Sequence, residues 1–352
     1  MPYTARNPDI VLTNDDIFGY MLAEALDTKI APFRREYHPD GAPAPRIDLN
    51  HTLTDYTDFK QRKILTSYRR RQLPDRDAVA RHLTNYPRII YNLTNPDTFD
   101  AEQVDVLWPY WINARADHNP KHDKDPSVRR RDAGRGMEYL FDALMFKAAG
   151  ANRLLTFHPH FHREPGVIDV EGLEVVCLDA VPSMVRYARD EIGISDDCLV
   201  LNPDMKPAKE GKYDIALEFA RTADLEIDHL TKQRLDSDAT DTKGYIDAQG
   251  RDAAIVDDIF ATFATVKGSV QNIHNVNRIY VIGVHPVLPR DGHSTARALI
   301  SSDEYPVVDV VGTHTVDSDF SRIPVHDEVR KFYRGELDYI DGLSDDFPDI
   351  DV

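Results

Sequence analysis

The chain has 352 residues, 41% hydrophobic and 29% charged, which is enough for two domains of ordinary size, each with its own core. Its 60 acidic against 42 basic residues give a formal net charge of -18, which argues against a broad surface for nucleic acid or anionic membranes, since both are bound through positive faces. No apolar run is long enough to span a bilayer and no basic-then-apolar stretch marks an export signal, so a cytoplasmic protein is expected.

In chain order, Asp40-Gly41 in EYHPDGA marks a turn. In WPYWINARAD, Arg115 taken by itself means no more than a surface salt bridge. From Asp117 to Asp132 the chain is polar, with Pro120, Pro126 and three successive arginines, and reads as an exposed loop. A helix is expected over about Met137 to Ala149, with Met137, Leu140, Phe141, Leu144, Met145 and Ala148 on one apolar stripe and Gly150 placed to stop it. Strand-like runs then recur at Leu154 to Phe157, Val175 to Leu178, Leu199 to Leu201, Ala253 to Val256, Ile279 to Val284 and Val307 to Val311. Helical patterns lie between them, which argues α/β layering with a largely parallel sheet. Cys177 and Cys198 lie in short apolar runs and read as small core hydrophobes. The tail from about Glu336 is acidic and aperiodic, hence solvated. A division near Arg163 to Gly172 gives domains at 1–165 and 166–330 and a tail at 331–352; a single large sheet is the alternative.

Four segments carry chemistry. If the strand before His158 ran on, His158, His160 and His162 would share a face and could hold a divalent metal; Pro159 argues that the strand ends there, leaving a loop. LVLNPD sets Asp204 just after a strand. LEIDHLTKQRLDSD offers Lys232 and Arg234 after Asp228, either as a charged exposed loop or as the positive charge that transferring phosphates need. In RDAAIVDDIFATFATVKGSV a strand runs into Asp257 and Asp258, and a turn with Thr262 and Thr265 opens a helix carrying Phe263, Val266, Val270 and Ile273 on one face. Carboxylates at a strand end accept hydrogen bonds from a vicinal diol, and hydroxyls with backbone N–H groups at a helix N-terminus hold a phosphate; a ribose 5-phosphate satisfies both. Helix capping or a solvated turn is the plainer reading of an Asp-Asp pair alone.

VDDIFATFAT resembles the loop V-D-D-x-x-x-T-G-G-T of type I phosphoribosyltransferases and PRPP synthetases. Asp257, Asp258, Thr262 and Thr265 match, and Phe263 and Ala264 stand where the pattern has two glycines. AAGANRLLTFHPH looks like the PRPP-synthetase segment in which G-A-x-R precedes V-L-T-V-D-L-H, with His160 on its histidine and His158 replacing its aspartate. WPYWINARAD resembles I-P-Y-x-x-Y-A-R-Q-D through Pro109, Tyr110, Ala114, Arg115 and Asp117, with Ala116 in place of Gln. EYHPDGA echoes R-F-x-D-G-E through Asp40 and Gly41, with Ala42 for the acid. LVLNPD resembles V-V-x-P-D through Asp204 without the following Gly-Gly, and Lys232 and Arg234 keep the spacing of the family's K-x-R loop. The motifs follow the family's order from about Val11 to Val329, and order outweighs any one match. The chain is thus similar to the ribose-phosphate pyrophosphokinase (PRPP synthetase) family.

That resemblance implies two α/β domains of the type I phosphoribosyltransferase kind, each a mainly parallel sheet flanked by helices, with ATP on the first and ribose 5-phosphate on the second. It implies Mg²⁺-dependent transfer of a pyrophosphoryl group from ATP to ribose 5-phosphate, giving PRPP and AMP. Arg115, Asp117, His160 and Asp40 would bind ATP; His160 and Asp204 would serve the metals; Lys232 and Arg234 would act on the transferring phosphates. Asp257, Asp258, Thr262 and Thr265 would bind ribose 5-phosphate, and a homo-oligomer, dimer to hexamer, is implied. The substituted positions leave two rivals: a pyrophosphokinase for a different sugar phosphate, and a non-catalytic relative that regulates an active synthetase. A phosphoribosyltransferase consuming PRPP would need only the Asp257 loop. The acidic set is 46 Asp to 14 Glu and the basic set 29 Arg to 13 Lys, which resembles proteins of salt-in halophilic archaea; work in concentrated salt is expected.

Overall fold

The computed structural model describes residues 7–13, 17–37, 43–47, 53, 55–71, 86–116, 136–203, 213–229, 231–234, 240–243 and 245–337. The chain parts into two compact units, the first of Met1–Arg69, Asp75–Leu178 and His326–Val352, the second of Arg70–Pro74 and Asp179–Val325.

The first unit is built on β1 (Ile10–Thr13), β2 (Lys29–Tyr37), β3 (Pro43–Ile47) and β4 (Lys63–Ser67), then, after the two-residue β5 (Arg70–Arg71) of the second unit, on β6 (Gln103–Leu107), β7 (Arg153–Phe157), β8 (Gly166–Val170) and β9 (Leu173–Leu178). They form one sheet in the order β3-β2-β1-β4-β6-β7-β9-β8. Its interior is parallel and only the edge strands β3 and β8 pair antiparallel. A parallel sheet covered on both faces needs strands without polar alternation, and β1, β7 and β9 are near-continuous apolar runs with four or five buried residues each. Helices α1 (Ile17–Leu26), α2 (residues 86–94) and α3 (Glu138–Ala148) accompany the sheet.

α3 forms where expected, but its inward face is not the expected stripe. Tyr139, Asp142, Ala143 and Phe146 are buried, whereas Phe141 is 62% and Leu144 46% exposed. Two aromatic rings and a hydrogen-bonded acid fill the place that Leu and Met were expected to take, because Tyr139 and Phe146 pack against Trp111 and Trp108.

The second unit carries six strands, all parallel, in the order β11-β10-β15-β17-β18-β20. They are β10 (Leu199–Asn202), β11 (Ile227–His229), β15 (Ala253–Ile259), β17 (Ile279–His285), β18 (Val307–Thr313) and β20 (Ser321–Ile323). Between them lie the short strands β12 (Thr231–Arg234), β13 (Thr240–Lys243), β14 (Ile246–Asp247), β16 (Ile273–His274) and β19 (Val316–Asp317), which pair as β12-β13, β14-β16 and β19-β5. The helices are α4 (Val181–Tyr187), α5 (Ile215–Ala223), α6 (Ala264–Gln271) and α7 (Arg290–Ile300). The last described helix, α8 (His326–Arg334), belongs to the first unit, where the Tyr333 hydroxyl donates to the buried Asp105 carboxylate at 2.8 Å.

All six expected apolar runs lie within strands of these two sheets. The antiparallel hairpin β8-β9 continues the first sheet, so the division falls between Leu178 and Asp179 and the chain re-enters the first unit at His326. The sequence pattern alone places the boundaries at 165/166 and 330/331. The Asp117 to Asp132 segment and the tail beyond Leu337 lie outside the described residues. Burial pushes the Cys198 thiol up to about 12 and raises Cys177 further, so both behave as inert core groups. Among the described residues no helix is long and apolar enough to cross a membrane.

Candidate active site

In the second unit the chemistry concentrates at the C-terminal ends of parallel strands, the side of open α/β sheets where ligands bind. β15 is buried through Val256 and emerges at Asp257 and Asp258, both half-buried, with Asp257 opposite Gly283 and Ile259 opposite His285. Successive strand residues face opposite sides. Asp257 Oδ1 accepts the backbone N–H of Asp258 at 2.9 Å, which bends the first carboxylate back along the chain.

The loop to α6 is held from beneath. Phe260 donates its N–H to His285 O at 3.0 Å and accepts from Leu288 N at 2.8 Å. Its ring lies in a space that exists because residue 283 is glycine: a Cβ there would meet the ring at 2.6 Å. Gly292 on α7 likewise makes room for the loop, since a Cβ would come within 2.0 Å of the Ala261 carbonyl oxygen. A polar seam braces the neighbouring strand ends, where Thr313 and Thr315 hydroxyls bond to Val284 O and His285 Nδ1 lies 2.8 Å from Thr315 Oγ1.

Phe263 is the decisive residue of this loop. Its backbone is left-handed (φ 67, ψ 6), the conformation for which the family pattern has glycine, and it accepts the Lys267 N–H at 2.9 Å as α6 begins. A Cβ in that conformation costs roughly 1–2 kcal/mol. The ring offsets this by burial. It is 2% exposed, stands edge-on to Phe260 with centroids 5.4 Å apart, and belongs to the same core cluster as Val266, Val270 and Ile273. The expected apolar face of the helix is thus the buried one, although Ile273 contributes from β16. Thr262 and Ala264 are exposed and Thr265 half-buried around the first turn of α6, whose leading N–H groups have no acceptor within the helix.

Lys232 and Arg234 lie on β12, opposite Thr242 and Thr240 of β13, in an antiparallel ribbon that follows Asp228. The expected loop is therefore a hairpin at this point. Asp204 comes two residues after β10 ends and lies outside the described residues, as do Asp40 and Asp117.

In the first unit, WPYWINAR closes as a single 3-10 turn, Ile112–Arg115, with Ala114 buried and Arg115 exposed. Trp111 Nε1 donates to Asp142 at 2.8 Å, and Asn113 Nδ2 reaches both oxygens of the same carboxylate at 3.0 and 3.1 Å. The His158 to His162 segment adjoins it, because Phe161 stacks on Tyr139 at 4.1 Å and stands edge-on to Trp111 at 5.2 Å. The structure therefore unites the Arg115 and His160 motifs on one aromatic platform. Sequence reasoning missed Asp142, whose partners are remote along the chain. Burial pushes its carboxyl up to about 6 against the pull of Trp111 and Asn113. A folded pKa above the unfolded one stabilises fully below pH ~4, and that contribution is lost as pH rises through about 6. Urea unfolding should show stability falling across this window in the wild type and a flatter profile in Asp142→Asn; identical profiles would remove Asp142 as the cause.

The histidines do not continue the strand. β7 ends at Phe157, His158 is left-handed (φ 37) and fully buried, and its Nδ1 donates to Arg163 O at 2.7 Å. Arg163 Nη2 in turn lies 2.8 Å from His160 Nδ1. A guanidinium only donates, so Nδ1 accepts and the His160 proton sits on Nε2. An imidazole with its proton on Nε2 is a donor there, chemistry suited to oxygen acceptors such as phosphate, whereas a hard cation such as Mg²⁺ prefers oxygen lone pairs. Among the described residues no group of three or more His, Cys, Asp or Glu gathers to hold a metal. Asp204, the carboxylate of the expected metal set, lies outside the described residues, and Arg163 ties the His158–His162 loop at both His158 and His160.

A ribose-phosphate pyrophosphokinase of Methanopyrus kandleri is 25% identical over 322 residues, covering 90% of this chain and 95% of that protein. One from Halobacterium salinarum is 26% identical over 226 residues, covering 63% and 70%. The chain is thus similar to ribose-phosphate pyrophosphokinases over most of its length. A crystal structure of phosphoribosylpyrophosphate synthetase from Mycobacterium smegmatis superposes with a TM-score of 0.67 over 93% of this chain and 98% of that one, at 15% identity, which establishes the shared fold. No family model matches the chain. The two parallel-dominated α/β units share the fold of that two-domain synthetase, and the chain departs from the family's sequence patterns at Phe263, Ala264, His158 and Ala42.

Proposed function

We propose that this protein transfers the pyrophosphoryl group of ATP to ribose 5-phosphate, giving PRPP and AMP. The observation that carries the proposal is the left-handed Phe263 with its ring turned into the core, which keeps the glycine-type backbone of a phosphate cradle and leaves the N-terminus of α6 uncovered by the aromatic. Asp257 and Asp258 take the 2- and 3-hydroxyls of the pentose, and Thr262, Thr265 and the leading N–H groups of α6 take its 5-phosphate. The anomeric hydroxyl attacks the β-phosphorus of ATP, the bond from that phosphorus to the AMP oxygen breaks, and the hydroxyl proton is released. Little covalent work falls to the protein, so positioning and charge compensation set the rate.

Arg115 and the Nε2–H of His160 meet the ATP phosphates, while Lys232 and Arg234 balance charge as it moves to the leaving group. Asp40 and Asp117 complete the nucleotide contacts. Mg²⁺ enters as the chelate of ATP, with Asp204 as its carboxylate contact. The working protein is a cytoplasmic homo-oligomer, dimer to hexamer, adapted to concentrated salt.

Phosphorus NMR of protein, MgATP and ribose 5-phosphate in molar KCl tests the reading. Matched appearance of AMP and PRPP is expected. AMP formed only with another sugar phosphate would transfer the activity to that acceptor, a reading that the exposed Ala264 methyl at the phosphate seat favours. Absence of AMP with every acceptor would leave a regulatory, non-catalytic relative.

A further inference from the structure

The turn that presents Arg115 is fastened by an acid on the buried face of α3. Asp142 is 2% exposed, and both side-chain donors that reach it come from this turn, Trp111 from its start and Asn113 from its middle. They lie four and two residues ahead of Arg115, so one carboxylate closes the turn across its width and ties it to a helix. Trp111 is stacked on Trp108, with centroids 6.2 Å apart, and edge-on to Phe161 and Tyr139, so three rings hold its indole before the hydrogen bond is counted. Asn113 stands where the family pattern I-P-Y-x-x-Y-A-R-Q-D has tyrosine, which makes the clasp a feature of this chain's own residues. An apolar residue at 142 would serve packing between Tyr139 and Phe146; the buried acid is instead satisfied by its two donors.

We propose that Asp142 is a positioning residue that holds the Trp111–Arg115 turn so that the Arg115 guanidinium meets the phosphates of a bound nucleoside triphosphate. The inference rests on the ATP-binding role given to Arg115 above. Its effect falls on nucleotide affinity and not on the sugar phosphate, because the clasp touches only the turn and the platform beneath it.

The test is calorimetric titration of the intact protein with MgATP and, separately, with ribose 5-phosphate, alongside the indole resonances of the ¹⁵N-labelled protein. In Asp142→Ala the Kd for ATP should rise about tenfold or more, since a displaced contact group commonly costs that much. Ribose 5-phosphate affinity should hold and the Trp111 indole N–H signal should move upfield. Asp142→Asn keeps an acceptor oxygen for the indole and should stay within about threefold of the wild type. Should the alanine variant fail to fold, Asn113→Ala removes half of the clasp with the acid in place, and a selective weakening of ATP binding is again expected. ATP affinity unchanged in these variants, equal loss for both ligands, or an asparagine variant as weak as alanine overturns the inference and leaves the proposed function standing. A wild type that binds no ATP overturns both.

Discussion

Phe263→Ala is expected to lower stability by about 3–5 kcal/mol, the usual cost of truncating a fully buried phenylalanine. The ring is 2% exposed and packs edge-on to Phe260, so its removal opens a cavity beneath the strand-to-helix loop. Alanine keeps a Cβ at φ 67 and therefore keeps the strain, whereas glycine removes it. Phe263→Gly should for that reason be more stable than Phe263→Ala by about 1 kcal/mol, the reverse of the ordinary order of these two residues. Urea midpoints at an unchanged slope provide the reading. If both variants kept wild-type stability and bound ribose 5-phosphate more tightly, the ring would have been covering the cradle and not supporting it.

Lys232→Ala is expected to reduce kcat by about 10²–10³-fold while the Kd for MgATP changes only a few-fold. The physical reason is timing. A charge needed chiefly when negative charge moves to the departing AMP oxygen contributes little to ground-state binding. Lys232 lies in the hairpin β12-β13, opposite Thr242, in the segment that follows β11. Single-turnover rates separate the two effects, and a parallel loss in kcat and ATP affinity would assign Lys232 to plain binding.

The sheets were legible because a parallel strand buried on both faces leaves a mark that needs no partner to read: RLLTF, LEVVCL and IYVIGVH are near-continuous apolar runs. The loop after β15 was legible as a diol-and-phosphate seat because its acids, hydroxyls and helix start are contiguous. What Phe263 does there was not, since a left-handed backbone and an inward ring depend on Gly283 and Gly292, which come from β17 and α7.

Long-range partners hid other features as well. Nothing local to Asp142 reveals its burial until Trp111 and Asn113 are brought to it, and an apolar stripe drawn through Phe141 and Leu144 passes it by. The histidines at 158, 160 and 162 suggested a shared face, and Pro159 warned against it. The left-handed His158 and the bonds to Arg163 turn the segment into a closed loop. The division at Leu178 was hidden by the antiparallel hairpin β8-β9, whose turn reads like the start of a new strand series.

The claim on which the rest depends is that Asp257 and Asp258 grip a pentose whose phosphate sits at the start of α6. Calorimetric titration of ribose 5-phosphate in molar KCl into the wild type and into Asp257→Asn/Asp258→Asn tests it most directly. Saturable binding by the wild type, weakened at least about tenfold in the double variant as charge-assisted bonds to the hydroxyls are lost, is the predicted result. Equal affinity in both proteins, or no binding in either, would contradict it.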